Sequence, residues 1–208
     1  MPTSDLRSWI DLLRREGELV EVEAEVDPDL EVTEIVDRTV KAGGPALLFR
    51  NPRGSERPLL INQFGTERRM CLAFGEHSLD GVARKLEDVL EMQPPQGLVE
   101  KVRGLGKLKR LADSLPRSVS RGACQELVLE PDLDALPIQR CWPGDPAPFI
   151  TLPGVITKDP RTGVRNVGMY RMQKIDARTT FMHWQIHKDG AADWRGMGDR
   201  LDVAVALG

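Results

Sequence analysis

Between residues 166 and 190 the chain reads NVGMYRMQKIDARTTFMHWQIHKDG, and this stretch holds two of the three histidines, one of the four tryptophans and the only tyrosine. His183, Gln185 and His187 offer two imidazoles and an amide, groups that suit a metal ion, a phosphate or the edge of a flavin. Imidazole favours a borderline transition metal, whereas an amide oxygen beside carboxylates favours Mn2+ or Mg2+. Arg171 adds a planar fork that matches a carboxylate. The HxxxH spacing of His183 and His187 evokes a zinc protease, but that motif needs a helix and a glutamate after the first histidine. Trp184 stands there instead, and zinc proteolysis is discounted.

Each of these residues also has an ordinary use. His183 reads equally as an exposed strand residue and His187 as a turn histidine before Lys188-Asp189-Gly190. Asn166 can cap a hairpin, since Asn tolerates left-handed backbone. Arg171 can be a surface cation of little energetic worth. Met169 and Tyr170 can be core packing, and Trp142, in CWPGDP, reads as a buried anchor.

Strand geometry ranks these uses. If FMHWQIH is a strand, Phe181, His183, Gln185 and His187 share one face, and Met182, Trp184 and Ile186 share the core face. Asn166 and Arg171 are five residues apart, so an unbroken strand points them to opposite faces. For both to serve one site, Asn166 must sit in a turn or a bulge must intervene.

The elements that must position these residues are legible upstream. Leu6, Trp9, Ile10, Leu12 and Leu13 recur at helical spacing, with Gly17 as a stop. ELVEVEAEV alternates and predicts a half-buried strand with Val20, Val22, Ala24 and Val26 on one face. Asp27-Pro28-Asp29 starts a helix that ends at Gly43-Gly44. PALLFRN and PLLINQF predict two strands, and Ser78 caps a helix over SLDGVARKLEDVLEM. Strands alternating with helices indicate an α/β layer. Residues 94–120 turn basic and read as a solvated helix or linker; GLGKLKR completes neither phosphate-loop spacing. Beyond them ITLPGVITKD and RNVGMYRMQKI form a hairpin through PRTG, TTFMHWQIH follows the turn DART, and RLDVAVALG has a buried-strand pattern. A chain ending on such a strand reads as the front of a longer enzyme.

Composition narrows the class. The 208 residues are 40% hydrophobic and 29% charged, enough for a real core in one large domain or two small ones. A net charge of −3 gives no electrostatic footprint for nucleic acid. No run is long and apolar enough to span a membrane, and the N-terminus lacks the pattern of an export signal. Cys71, Cys124 and Cys141 form no CxxC pair and imply reduced thiols in a cytoplasm.

At the residues that could do chemistry, the sequence resembles the UbiD family of prenylated-flavin-dependent decarboxylases, and the resemblance runs almost end to end. GELVEVEAEVDPDLEVTEIVDRTVKAGGPALLFRNPRGS and INQFGTERRMCLAFG are similar to its N-terminal domain. DLDALPIQRCWPGDPAPFITLPGVITKDPRTGVRNVGMYRMQ is similar to the entry into its flavin-binding domain. The specific part is N-x-G-x-Y-R followed by a hairpin and a histidine.

The resemblance implies an α+β fold: an N-terminal α/β domain over residues 1–115, then over 116–208 the first part of a flavin-reductase-like split β-barrel. It implies that Asn166 and His187 hold a divalent metal, Mn2+ or Mg2+ with K+ also in the cofactor set, against the phosphate of prenylated FMN. Met169, Tyr170, Arg171, His183, Trp184, Gln185, Lys188 and Asp189 match its cofactor contacts, and Arg171 matches the arginine that pairs with a catalytic glutamate. Many relatives carry Arg at position 183 and Arg-Gly or similar at 188–189, a departure that backbone contacts at 183, 188 and 189 would survive. The implied reaction is reversible, non-oxidative decarboxylation of an aromatic or α,β-unsaturated acid. The family's standard substrate is 4-hydroxy-3-polyprenylbenzoate, in ubiquinone biosynthesis; smaller phenolic or heteroaromatic acids are others. A flavin prenyltransferase would supply the cofactor, and the full-length protein would be a homo-oligomer. The family's third metal ligand and catalytic carboxylates match nothing here and fall beyond Gly208, so the chain alone is expected to be inactive. Two other readings stay open: a module binding ordinary flavin phosphate, and an assembly subunit that borrows its carboxylates.

Overall fold

A computed structural model describes residues 3–90 and 118–207. Its first helix, α1 (Leu6–Arg15), is closed by Asp5, whose carboxylate accepts from the Ser8 amide at 2.8 Å while the Ser8 hydroxyl accepts from the Asp5 amide. This reciprocal cap satisfies two amides that a helix start leaves free. Trp9 and Leu13 form the buried face, and Gly17 ends the helix at φ +70°.

Strand β1 (Leu19–Val26) lies parallel to β2 (Ala46–Pro52), with helix α2 (Glu31–Lys41) as the crossover, and β3 (Leu59–Ile61) pairs antiparallel with β2. The β1 ladder shifts register between Val22 and Glu25. The expected one-sided alternation is not kept: Val20 and Ala24 are exposed, while Val22 and Val26 meet the core. Val26, Val32, Leu47 and Phe49 make that core, each side chain contributing about 1.5–3 kcal/mol by burial.

Helix α3 (Glu67–Phe74) has no counterpart in the sequence pattern, because its most buried side chain is a charge. Arg69 is 1% exposed, pairing with Glu18 at 2.9 Å and donating to the Gly44 carbonyl at 3.2 Å. Helix α4 (Leu79–Leu90) starts as expected, the Ser78 hydroxyl accepting from the Gly81 amide. By contacts the chain divides into two compact units, one built around residues 70–130 and the other from 3–69 with 131–208. The linker and GLGKLKR readings fall largely on residues 91–117, outside the described residues.

Downstream of a 3-10 turn (Ala123–Gln125), two further three-stranded sheets form. One has the order β4 (Phe149–Ile150), β7 (Met172–Lys174), β8 (Thr180–Met182). The other has the order β6 (Arg165–Met169), β5 (Gly154–Lys158), β9 (Ala204–Ala206). Gln139 and Arg140 tie these to the first sheet within the larger unit: Leu30 donates to the Arg140 carbonyl, Arg140 pairs with Asp29 at 2.7 Å, and Phe149 donates to the Gln139 carbonyl. Leu30 holds φ +70°, a costly backbone for a branched residue that the Arg140 bond fixes. The PRTG hairpin joins β5 and β6 as expected. The segment RLDVAVALG does form a strand, but β9 is exposed along its length rather than buried. Helix α5 (Asp189–Met197) was not legible, since its buried residues are Gly190, Ala191 and Asp193, small or charged rather than an apolar stripe. Mixed helices and small sheets make this the α+β class. Among the described residues no helix is long and apolar enough to cross a membrane.

Candidate functional site

The motif residues sit where the chain changes sheets. Asn166 lies within β6, directly across the ladder from Thr157 of β5, so the two side chains share one face. Pairing lapses at Tyr170 and Arg171, and Met172 resumes in the other sheet. This answers the spacing problem differently from the expectation: Asn166 occupies neither a turn nor a bulge, and the break between sheets re-aims Arg171.

Gly168 makes the corner possible. A β-carbon there would lie 2.5–2.7 Å from the Tyr170 ring, so the ring folds back over bare backbone. Tyr170 is buried with Val155 and Met172 and meets Trp184 edge-on, ring centroids 6.2 Å apart. Gly190 also approaches closely, since a β-carbon on it would lie 3.2–3.3 Å from both rings.

The hydroxyls and amides at the corner form a connected network. Gly190, in the first turn of α5, donates its free amide to the Tyr170 hydroxyl at 3.3 Å. Asn166 Nδ2 lies 3.4 Å from that hydroxyl and 3.4 Å from Thr157 Oγ1. Thr157 Oγ1 in turn lies 2.5 Å from Asp193 Oδ2, with both residues buried. Tyr170 thus links the strand carrying Asn166 to the helix that follows His187.

Beside the corner opens a cavity of about 560 Å³. Met169, Tyr170 and Arg171 line it from the break between sheets, and His183, Gln185 and Lys188 from the segment after β8. Phe149, Gln173, Phe181 and Met182 complete the wall. Arg171 is fixed on two sides: its guanidinium stacks 3.6 Å above the Phe149 ring centre and donates to Asp145 Oδ2 at 2.9 Å. It is therefore an anchored cation at the cavity wall, not a loose surface one. Cys141 lies within the electrostatic reach of Arg171, yet burial pushes its thiol up, against the pull of the Thr33 hydroxyl and Arg171. That keeps it protonated and a poor nucleophile at neutral pH.

Six of the ten predicted site residues therefore share one cavity wall. Ladder pairing ends at Met182, so the predicted strand stops short of the histidines. Alternation nevertheless persists through Gln185, with Phe181, His183 and Gln185 exposed and Met182 and Trp184 half-buried against the core. It then fails: Ile186 is exposed, and His187 lies in the turn before α5. Trp184 packs inward beside Tyr170, and Asp189 opens α5. Trp142 is exposed, not a buried anchor. Among the described residues no three His, Cys, Asp or Glu side chains converge as a metal site. A cation at Asn166 and His187 would draw its other ligands from a phosphate, water or another segment. Thr157, Asp193, Asp145 and Phe149 escaped the sequence reading, although Asp145 stands in the flagged PGDP turn.

Two family models match the chain: the 3-octaprenyl-4-hydroxybenzoate carboxy-lyase N-terminal domain over residues 10–89 and the Rift-related domain of the same carboxy-lyase over residues 117–208. An uncharacterized protein of Archaeoglobus fulgidus is 48% identical over 212 residues, covering 100% of this chain and 44% of its own length. The chain thus spans less than half of the curated relatives it matches. Among solved structures, the UbiD-class enzyme HmfF from Pelotomaculum thermopropionicum in complex with FMN superposes with a TM-score of 0.75 at 25% identity, over 98% of this chain and 42% of that one. An evolved dimeric form of HmfF in complex with prFMN gives 0.74 at 25% identity, over 99% and 44%.

Proposed function

This chain belongs to the UbiD family of carboxy-lyases, and from that premise we propose that it is the N-terminal portion of a prenylated-FMN-dependent decarboxylase. The substrate would be an aromatic or α,β-unsaturated carboxylic acid, either 4-hydroxy-3-polyprenylbenzoate or a smaller phenolic or heteroaromatic acid. In this reading residues 1–115 form the N-terminal domain and residues 116–208 the first part of a split β-barrel. The catalytic and metal carboxylates come from sequence beyond Gly208, so the 208 residues alone do not turn over. The full-length protein would be a homo-oligomer, with a flavin prenyltransferase as its cofactor supplier.

The observation that carries the reading is the shared cavity wall of Met169, Tyr170, Arg171, His183, Gln185 and Lys188. The residues fit a flavin phosphate with its cation. The Asn166 amide nitrogen is directed at Thr157 and Tyr170, and among the described residues no donor reaches its oxygen, which is left to a cation. His187, in an exposed turn, supplies an imidazole, and Lys188 a positive charge for the phosphate. Contacts at Trp184 and Asp189 would run through the backbone. When bound, prenylated FMN supplies the electron sink that lets CO2 leave. The chain's own task is to hold the acid: Arg171, pinned by Asp145 and Phe149, presents its remaining guanidinium donors to a carboxylate. The apolar rings of Phe149 and Phe181 displace water from the same wall.

The test is co-expression of the full-length protein with a flavin prenyltransferase, followed by mass spectrometry of the bound cofactor and CO2 release from a panel of aromatic acids. A prenylated adduct with acid-dependent CO2 release is the expected result. Plain FMN without turnover in the full-length protein would replace this reading with a flavin-phosphate-binding module.

A further inference from the structure

The corner network has a direction, set by which atoms can donate. An ionised carboxylate only accepts, so the short contact between Asp193 and Thr157 must carry the threonine hydroxyl proton toward Asp193. Thr157 Oγ1 is then left with lone pairs alone, and its cross-strand neighbour Asn166 must answer with its amide nitrogen. Gly190 already spends its amide on the Tyr170 hydroxyl, which meets the same nitrogen from the other side. The Thr157 contact therefore selects one of the two amide orientations of Asn166, with nitrogen inward and oxygen outward, and the Tyr170 hydroxyl, able to accept or donate, accommodates it.

We propose that Asp193 is a positioning residue which, through Thr157, locks the Asn166 amide so that its carbonyl oxygen faces the cation of a metal–phosphate ligand. Asp193 sits on α5 and touches Asn166 only through Thr157, 36 residues away in sequence. Its burial to 7% exposure, and that of Thr157 to 1%, keep water from scrambling the relay. The proposal rests on Asn166 as a cation ligand. Without the carboxylate, a neutral partner could donate to Thr157 and free the threonine proton to meet Asn166 Oδ1. The amide would then invert and present its NH2 to the cation.

The experiment titrates Mn2+ into the full-length protein loaded with FMN, following free Mn2+ by electron paramagnetic resonance. Side-chain amide NMR of Asn166 and thermal unfolding are recorded in parallel. Asp193→Asn and Thr157→Val are expected to weaken Mn2+ binding about 10- to 100-fold, the range for outer residues that orient a ligand. Thr157→Ser keeps the hydroxyl and stays within about twofold of wild type by the same reasoning. In the two weakened variants the Asn166 NH2 protons exchange faster with solvent. If Asn166→Ala weakens Mn2+ binding but Asp193→Asn and Thr157→Val do not, the relay is overturned and the cation reading stands. If Asn166→Ala binds Mn2+ like wild type, the cation reading falls and takes the relay with it. Should Asp193→Asn fail to fold, the Thr157 valine and serine pair decides alone. Affinity falling equally in both means the hydroxyl proton is irrelevant, against the proposal.

Discussion

Replacing Gly168 by alanine tests whether the corner depends on an aromatic ring lying over bare backbone. The added β-carbon would meet two Tyr170 ring carbons at 2.5 and 2.7 Å and the hydroxyl oxygen at 2.7 Å, well inside contact distance, and the ring is walled in by Val155, Met172 and Trp184. Overpacking of this kind costs about 1–3 kcal/mol. Displacing the ring also loosens the Tyr170 hydroxyl from the Gly190 amide, about 0.5–1.5 kcal/mol more. Gly168 does not hold positive φ, so the backbone itself accepts alanine and gains a few tenths of a kcal/mol in the unfolded state. The clash should therefore vanish when the ring is gone. In a double-mutant cycle by urea denaturation, Gly168→Ala is expected to cost about 2–4 kcal/mol in wild type. In a Tyr170→Leu background it should cost less than about 0.5 kcal/mol. Coupling below about 0.5 kcal/mol, within the range of independent sites, would refute the folded-back ring.

Other outcomes follow from the same geometry. Arg171→Lys keeps the charge but loses the flat fork that spans Asp145 and Phe149, so stability should change by less than about 1 kcal/mol. Turnover by the full-length enzyme should fall about 100-fold, the usual cost of a misplaced group; equal turnover would show that the fork is idle. Glu18→Ala strands the buried Arg69 guanidinium and should cost about 3–5 kcal/mol in denaturation, with Arg69→Met costing less. Glu21 is held below the ordinary carboxylate range, first by the Arg14 hydrogen bond and next by Arg50. A depressed folded pKa stabilises above the unfolded value of about 4.3 and fades as pH falls through the folded one. Glu21→Gln should therefore be less stable than wild type at pH 7, with a gap that narrows as pH falls below the unfolded value of about 4.3; a gap that does not narrow in acid refutes the assignment.

What the sequence made legible, and what it hid, divides by distance along the chain. The β5–β6 hairpin, the cap at Ser78, and the in–out alternation from Phe181 to Gln185 all follow from neighbours a few residues apart. Periodicity and turn chemistry report such neighbours directly. The relay from Asp193 to Thr157 and the clamp from Asp145 to Arg171 span 36 and 26 residues and leave no local trace. Helix α5 hid for a related reason: it packs through Gly190 and Ala191, where close approach replaces apolar bulk. The Asn166–Arg171 spacing looked contradictory only because two sheets were read as one strand.

The most direct test is a crystal structure of the full-length protein with flavin and Mn2+, recorded at the manganese absorption edge. The account predicts one anomalous peak in contact with Asn166 Oδ1, a ring nitrogen of His187 and a flavin phosphate oxygen. A flavin bound in the cavity with manganese absent from Asn166 and His187, or ligated elsewhere, would contradict it.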